Sequence, residues 1–378
     1  MKVLFVFGIR PEAIKLAPVI KELSGRANFD CKICVTGQHR EMLAQVLELF
    51  DLQPDWNLDL MRSNQDLAYL TGAALSGVGE VLDAFQPDRV FVQGDTTTTF
   101  AGALAGFYHR IPVAHVEAGL RTDNIYSPWP EEVNRRLVSH IADLHFAPTP
   151  QARENLLREG IGLDRILVTG NTGIDALLWV SALLDSRADL RSRYDAILPA
   201  HFEGRHLVLM TGHRRESFDG GIARICSAMA RIAERSDVAV VFPVHRNPNV
   251  RRAVAVLHRH PNVLLTDPVD YAQLVFLLKR CRLVVTDSGG IQEEAPSFGK
   301  PVLVTRDTTE RPEAMELGLA RLVGTDEARL YIEMSALLDD PDTYARMSQI
   351  ANPYGDGRAS VRIAQRLTSE PASRGASE

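Results

Sequence analysis

Three carboxylates stand where an α/β protein would offer them to a ligand. Asp95 closes the segment RVFVQGD and Glu117 closes IPVAHVE, two strand ends of one sheet, each with a turn glycine nearby. Ligands of such sheets bind at the carboxyl ends of the strands, which puts both acids in one crevice. Carboxylates clustered in this way are equipment for moving protons. Glu131 follows SPWP at a helix start, where it reads equally as a third acid of the site or as an ordinary acidic residue at a helix N-terminus. His213, in MTGHRRES, ends the first strand of the second half beside Arg214 and Arg215. It is a candidate for phosphate binding or acid/base work, facing the carboxylates across a cleft.

A second chemistry is written in TDSGGIQEEAPSFGKPVLVTRDTTERPEA, residues 286–314. Ser288, Gly289 and Gly290 follow the apolar run LVV, so they sit where a buried strand stops and a helix begins. Unblocked backbone N–H groups and the positive helix end make such a turn a phosphate seat. Glu293 and Glu294 come directly behind it. A carboxylate there would repel a phosphate unless it reached a neutral donor, and a ribose diol is such a donor. Arg306 and Arg311 follow the next strand and return to the same edge. There is no G-x-x-x-x-G-K-[ST] and no strand-linked G-x-G-x-x-G, so the ligand these features suit is a nucleotide-sugar rather than ATP or NAD. Arg10, after the Gly8 turn, and Lys15, near the first turn of the next helix, are cations able to reach a diphosphate across the cleft, or solvated loop charges.

These residues need a frame to hold them. Short apolar runs alternate with helical patterns from VLFVFG onward, and a second such series begins at HLVLMTG, which predicts βαβ units and parallel sheets. The fold expected is α/β, with two Rossmann-like domains, residues 1–170 and 171–357. The polar tail TSEPASRGASE, with residues 369–378 in it, is expected to be disordered. The segment LLDSRADLRSRYDAILPAHFEGRH is expected to close one helix and run toward the second sheet. A formal net charge of -6 excludes a broad basic surface for nucleic acid. No apolar stretch is long enough to span a membrane, and the chain reads as cytoplasmic. Cys31 and Cys34 form a C-x-x-C inside the strand-like FDCKICVTG, where residues three apart point to opposite faces, an unsuitable geometry for a metal or redox pair.

The segments GIRPEAIKLAP, TGQHREM, QGDTTTTFAGALAGFYHRIPVAHVEAGLRT, PWPEEVNRRL, VTGNTGIDALL, TGHRRESFDGG, FPVHRNPNVR, residues 286–314 and NPYGDG together resemble the non-hydrolysing bacterial UDP-N-acetylglucosamine 2-epimerases, the proteobacterial type most closely. The resemblance runs from residue 1 to about 365. It implies a glycosyltransferase-B-like fold, a C-terminal helix (VRIAQRL, about 358–368) returning to the first domain, and a homodimer. It also implies reversible inversion of C2 of UDP-GlcNAc to give UDP-ManNAc for surface polysaccharide. The route is elimination of UDP to 2-acetamidoglucal and re-addition, with no NAD or metal. Asp95, Glu117 and Glu131 match the family's acid/base carboxylates, and His213 matches its catalytic-site histidine. Arg10, Lys15, Ser288, Gly289, Gly290, Glu294 and Arg311 match its UDP contacts, while Leu274 stands where relatives often carry a phenylalanine beside the uracil. Many members bind a second UDP-GlcNAc as activator. Gln38, His39 and His245 match that site, whereas Glu41 replaces a glutamine and Asn64 an arginine. A glycosyltransferase on the same fold, using UDP-GlcNAc as donor, and a non-catalytic nucleotide-sugar sensor are the alternative readings.

Overall fold

A computed structural model describes residues 1–37, 40–62, 65–212, 220–245 and 247–369. The expected disordered tail falls, from residue 370 on, outside the described residues. The chain forms two compact units: Met1–Ala176 with the described residues from Tyr354 on, and Leu177–Pro353.

The first unit holds seven strands: β1 (Lys2–Phe7), β2 (Asp30–Val35), β3 (Trp56–Asn57), β4 (Arg89–Gln93), β5 (Val113–Val116), β6 (Leu144–Ala147) and β7 (Ile166–Val168). They pair in parallel in the order β3-β2-β1-β4-β5-β6-β7. The second unit holds β8 (His206–Thr211), β9 (Val238–Pro243), β10 (Val263–Thr266), β11 (Leu283–Thr286), β12 (Val302–Val304) and β13 (Ala320–Leu322). Their order is β10-β9-β8-β11-β12-β13, again all parallel. Both sheets therefore run outward in opposite senses from a central pair, β1/β4 and β8/β11, the order of a Rossmann sheet. The crevice for a ligand opens where that order reverses.

Helices on both faces explain the unbroken apolar strands: β1 is buried from Val3 to Phe7, with no polar face to show. The helix Arg10–Ser24 turns Ala13, Leu16, Ala17, Val19, Ile20 and Leu23 inward, carries Pro11 in its first turn and stops at Gly25. Asp175 caps the C-terminal helix Ala359–Thr368 from across the sequence. Its carboxylate accepts the Ala359 N–H (3.1 Å), the Ser360 N–H (2.8 Å) and the Ser360 hydroxyl (2.6 Å). The helix Thr172–Ser186 is continuous through the first division between the units, so no loop composition marks that point.

Two segments differ from expectation. The charged stretch after residue 183 forms its own helix, Ala188–Asp195, because Tyr194 buries its ring 5.9 Å from Phe276 and donates its hydroxyl to Asp270. VRRAVAVLHRH, one of the helical patterns of the second series, is broken into a short helix Pro248–Ala253 followed by a 3-10 turn Val254–Leu257. Leu67–Phe85 is a further, long helix. Among the described residues no helix is long and apolar enough to cross a membrane.

Candidate active site

In the first unit the candidate residues gather at the carboxyl edge of β1, β4 and β5. Asp95 follows Gly94, whose φ of 74° makes the turn out of β4. Three groups grip this turn: His115 Nε2 lies 2.7 Å from the Gly94 carbonyl, Asn134 Nδ2 donates to the Asp95 carbonyl at 2.9 Å, and Arg135 Nε donates to Asp95 Oδ2 at 2.8 Å. Burial pushes the His115 imidazole down to about 4. It is therefore neutral near pH 7, and facing a carbonyl it must carry its proton on Nε2.

Glu117 leaves β5 with a φ of 65°, a left-handed conformation uncommon for a residue bearing a side chain. Its carboxylate is nearly enclosed. Lys15 Nζ lies 2.6 Å from both oxygens, and Gln93 Nε2 donates to Oε2. Lys15, expected at a diphosphate, is thus also the counter-ion of a candidate acid. Gln93 and Val116 are partners in register, so Asp95 and Glu117 leave adjacent strands at one level.

Glu131 opens the helix Glu131–Ile141 and is half-buried. The next residue, Glu132, is fully buried and accepts from Arg135 (3.0 Å), Arg136 (3.1 Å) and the Thr122 N–H (3.1 Å). Arg10 begins the helix that follows β1. Two residues on, buried Glu12 accepts the N–H groups of Gly8 (2.7 Å) and Ile9 (2.9 Å) as a helix cap. Its other oxygen takes the hydroxyls of Thr96 and Thr99, behind Asp95. One carboxyl, held by burial above the usual carboxylate range, so ties the Arg10 loop to the Asp95 loop.

In the second unit Ser288 precedes the helix Gly289–Glu294 and makes no side-chain bond to its N–H groups. Behind the turn, Thr286 Oγ1 accepts the Ser288 N–H (3.0 Å) and contacts Thr211 Oγ1 of β8 at 2.6 Å. Glycine is required at 289 by close approach, since a Cβ there would lie 2.9 Å from the Arg311 guanidinium carbon and 3.1 Å from Glu310 Oε1. Arg311 is buried and paired twice, to Glu293 at 2.7 Å and to Glu310 at 2.6 Å. The second oxygen of Glu310 holds Arg306 at 2.7 Å. Both arginines do reach the edge expected of them, but Glu310 already bridges them and Glu293 also pairs with Arg311. Glu294 accepts the Tyr271 hydroxyl at 3.0 Å, so its carboxylate does meet a neutral donor.

Sequence reasoning missed Glu12, Gln93, His115, the Asn134–Arg135 pair, Tyr271 and Glu310. Only Glu132 with Arg135 and Arg136, at helical spacings of three and four, left a legible signal. His213, Gln38, His39, Asn64 and the side chain of Glu41 lie outside the described residues. His245 is exposed after β9, its Nδ1 accepting the Asn247 N–H at 3.2 Å. Leu274 is half-buried on the helix Tyr271–Arg280. Of the C-x-x-C, Cys34 is buried with its thiol pushed up to about 12, while Cys31 is only partly covered.

Two parallel Rossmann-type sheets, with acids at one switch point and a Ser-Gly-Gly turn at the other, give an α/β protein with the glycosyltransferase-B-like fold. The glycosyltransferase SnogD from Streptomyces nogalater shares that fold, with a TM-score of 0.58 at 17% identity over 98% of this chain and 96% of SnogD. The chain belongs to the UDP-N-acetylglucosamine 2-epimerase family, whose model matches residues 21–368. It is 55% identical to the UDP-N-acetylglucosamine 2-epimerase of Yersinia pestis, over 97% of this chain and 98% of that protein. The UDP-GlcNAc 2-epimerase of Neisseria meningitidis, solved bound to UDP-GlcNAc, superposes with a TM-score of 0.93 at 47% identity, covering 98% of this chain and 100% of that one.

Proposed function

We propose that this chain interconverts UDP-GlcNAc and UDP-ManNAc without net hydrolysis. The observation that carries the reading is that Asp95 and Glu117 leave adjacent strands at one level, with Glu131 opening the helix whose Arg135 holds Asp95, in a chain of this family. The proton on C2 is not next to a carbonyl, so direct enolate chemistry is closed to it. One carboxylate removes that proton, the C2–H electrons become the C1=C2 bond of 2-acetamidoglucal, and the C1–O bond breaks toward UDP. A second acid then delivers a proton to the opposite face of C2 while a phosphate oxygen of UDP re-forms the bond to C1.

The residues divide by chemistry. Asp95, Glu117, Glu131 and His213 handle protons. Ser288, Gly289 and Gly290 present N–H groups to phosphate, Glu294 takes the ribose hydroxyls, and Arg10, Lys15 and Arg311 stabilise the departing diphosphate. Lys15 serves two anions in turn, Glu117 in the resting protein and the diphosphate as charge builds on it. The protein is read as a cytoplasmic homodimer supplying a surface polysaccharide, with Gln38, His39, Glu41 and His245 as its regulatory UDP-GlcNAc contacts.

Proton NMR of UDP-GlcNAc with the pure protein in D2O tests the reading. UDP-ManNAc with deuterium at C2 of both sugars supports it. Free ManNAc points instead to hydrolysis, sugar transfer to an added acceptor points to a transferase, and bound but undeuterated substrate points to a sensor.

A further inference from the structure

We infer that Arg135 is a positioning residue for proton transfer, orienting Asp95 and fixing its register against Glu131. The inference rests on the reading of Asp95 as a proton-transfer group. A single helical turn grips Asp95 at two points: Asn134 holds its carbonyl and Arg135 holds Oδ2. The same turn begins with Glu131, so the rigid rise of a helix sets how far one acid stands from the other. Arg135 is itself buried and anchored. Its Nη1 is anchored on Glu132, which is fully buried, and its carbonyl accepts the Ser139 hydroxyl at 2.9 Å. Ser139 Oγ in turn accepts from Arg121, which forks onto Glu159.

The planar guanidinium spans two carboxylates in a fixed fork, Nε to Asp95 and Nη1 to Glu132, whereas a lysine offers one nitrogen on a flexible stem. By taking Oδ2 it leaves Oδ1 as the oxygen of Asp95 open to a substrate. Among the described residues Oδ1 accepts no hydrogen bond, and the side chain is 26% exposed. One oxygen is held and the other is presented, which is what a proton-abstracting carboxylate needs.

The test measures C2 deuterium incorporation into UDP-GlcNAc and UDP affinity side by side. Arg135→Met is expected to slow exchange about a hundredfold, the scale of a misplaced catalytic group, with UDP affinity unchanged. Added guanidinium should restore part of the Arg135→Met rate, and Arg135→Lys should keep charge but recover little. Since Arg135→Met strands the buried Glu132, the double variant Glu132→Gln/Arg135→Met is measured beside it and is expected to fold and to show the same selective loss. Wild-type exchange in the folded double variant overturns the inference, as does a parallel fall of exchange and UDP affinity. Asp95→Asn separates the two readings. If it exchanges normally, the role of Asp95 fails and the inference with it. If it is inactive while the Arg135 variants are not, only the assignment of Arg135 is wrong.

Discussion

Replacing Lys15 with methionine should destabilise the first unit through Glu117. The ammonium lies 2.6 Å from both carboxylate oxygens, and the two side chains are 16% and 5% exposed. Removing one partner of a buried ion pair costs about 3–5 kcal/mol, because the remaining charge is left in a poor solvent. Two features place this case at the lower end: Gln93 still donates to Oε2, and Lys15 is reached by some water. A loss of about 3 kcal/mol is expected. Glu117→Gln alone should cost less, since the lysine end can find water. In the double variant Lys15→Met/Glu117→Gln no buried charge is stranded, so about 2 kcal/mol should return as a coupling energy. Urea unfolding of the four proteins, followed by tryptophan fluorescence, to which Trp56 and Trp129 of the first unit contribute, gives these numbers. With a slope near 3 kcal/mol/M for a unit of this size, the midpoint of Lys15→Met should fall by about 1 M. A shift below about 0.3 M without coupling would mean that the pair behaves like an exposed salt bridge, and Lys15 would not be the counter-ion of Glu117.

Three further outcomes are expected. Glu294→Ala should weaken UDP by about 1.5–3 kcal/mol, the range for hydrogen bonds to a charged group, and unchanged affinity by calorimetry would remove Glu294 from the ribose. Gly289→Ala drives a methyl group to 2.9 Å from buried Arg311, so it should cost about 1–3 kcal/mol and loosen UDP; wild-type melting and affinity would show that the arginine gives way freely. Burial lowers His115 to about 4 and His145 to about 3, below the unfolded value near 6.5. Their contribution is then full above pH ~6.5 and is lost as pH falls toward those folded values, by up to ~1.4 kcal/mol per pH unit per histidine. Urea midpoints measured between neutral pH and pH ~4 should therefore fall, less steeply in His145→Phe; equal slopes would deny the histidine its part.

The site was legible where a residue sits at the end of an apolar run. Asp95, Glu117 and Ser288 each follow a strand, and in parallel α/β sheets that position alone brings a group to the binding edge. What could not be read were partners from distant parts of the chain. Lys15 and Glu117 meet across 102 residues, Arg135 and Asp95 across 40, and Thr99 and Glu12 across 87. Glu310 stands beside Arg311 in sequence, yet its bridging of Arg306 and Arg311 at Gly289 depends on how the loop after β12 folds over the Ser-Gly-Gly turn.

The sequence by itself determined the strand-turn-helix rhythm, the edge at which the chemistry lies and the kinds of group present, since apolar periodicity and turn glycines are local properties. Strand order, the counter-ions of Asp95 and Glu117 and the tautomer of His115 were decided only by the tertiary structure. The energy of a charge or a proton depends on what lies within a few ångströms of it, and in this fold those neighbours come from strands and helices far apart along the chain.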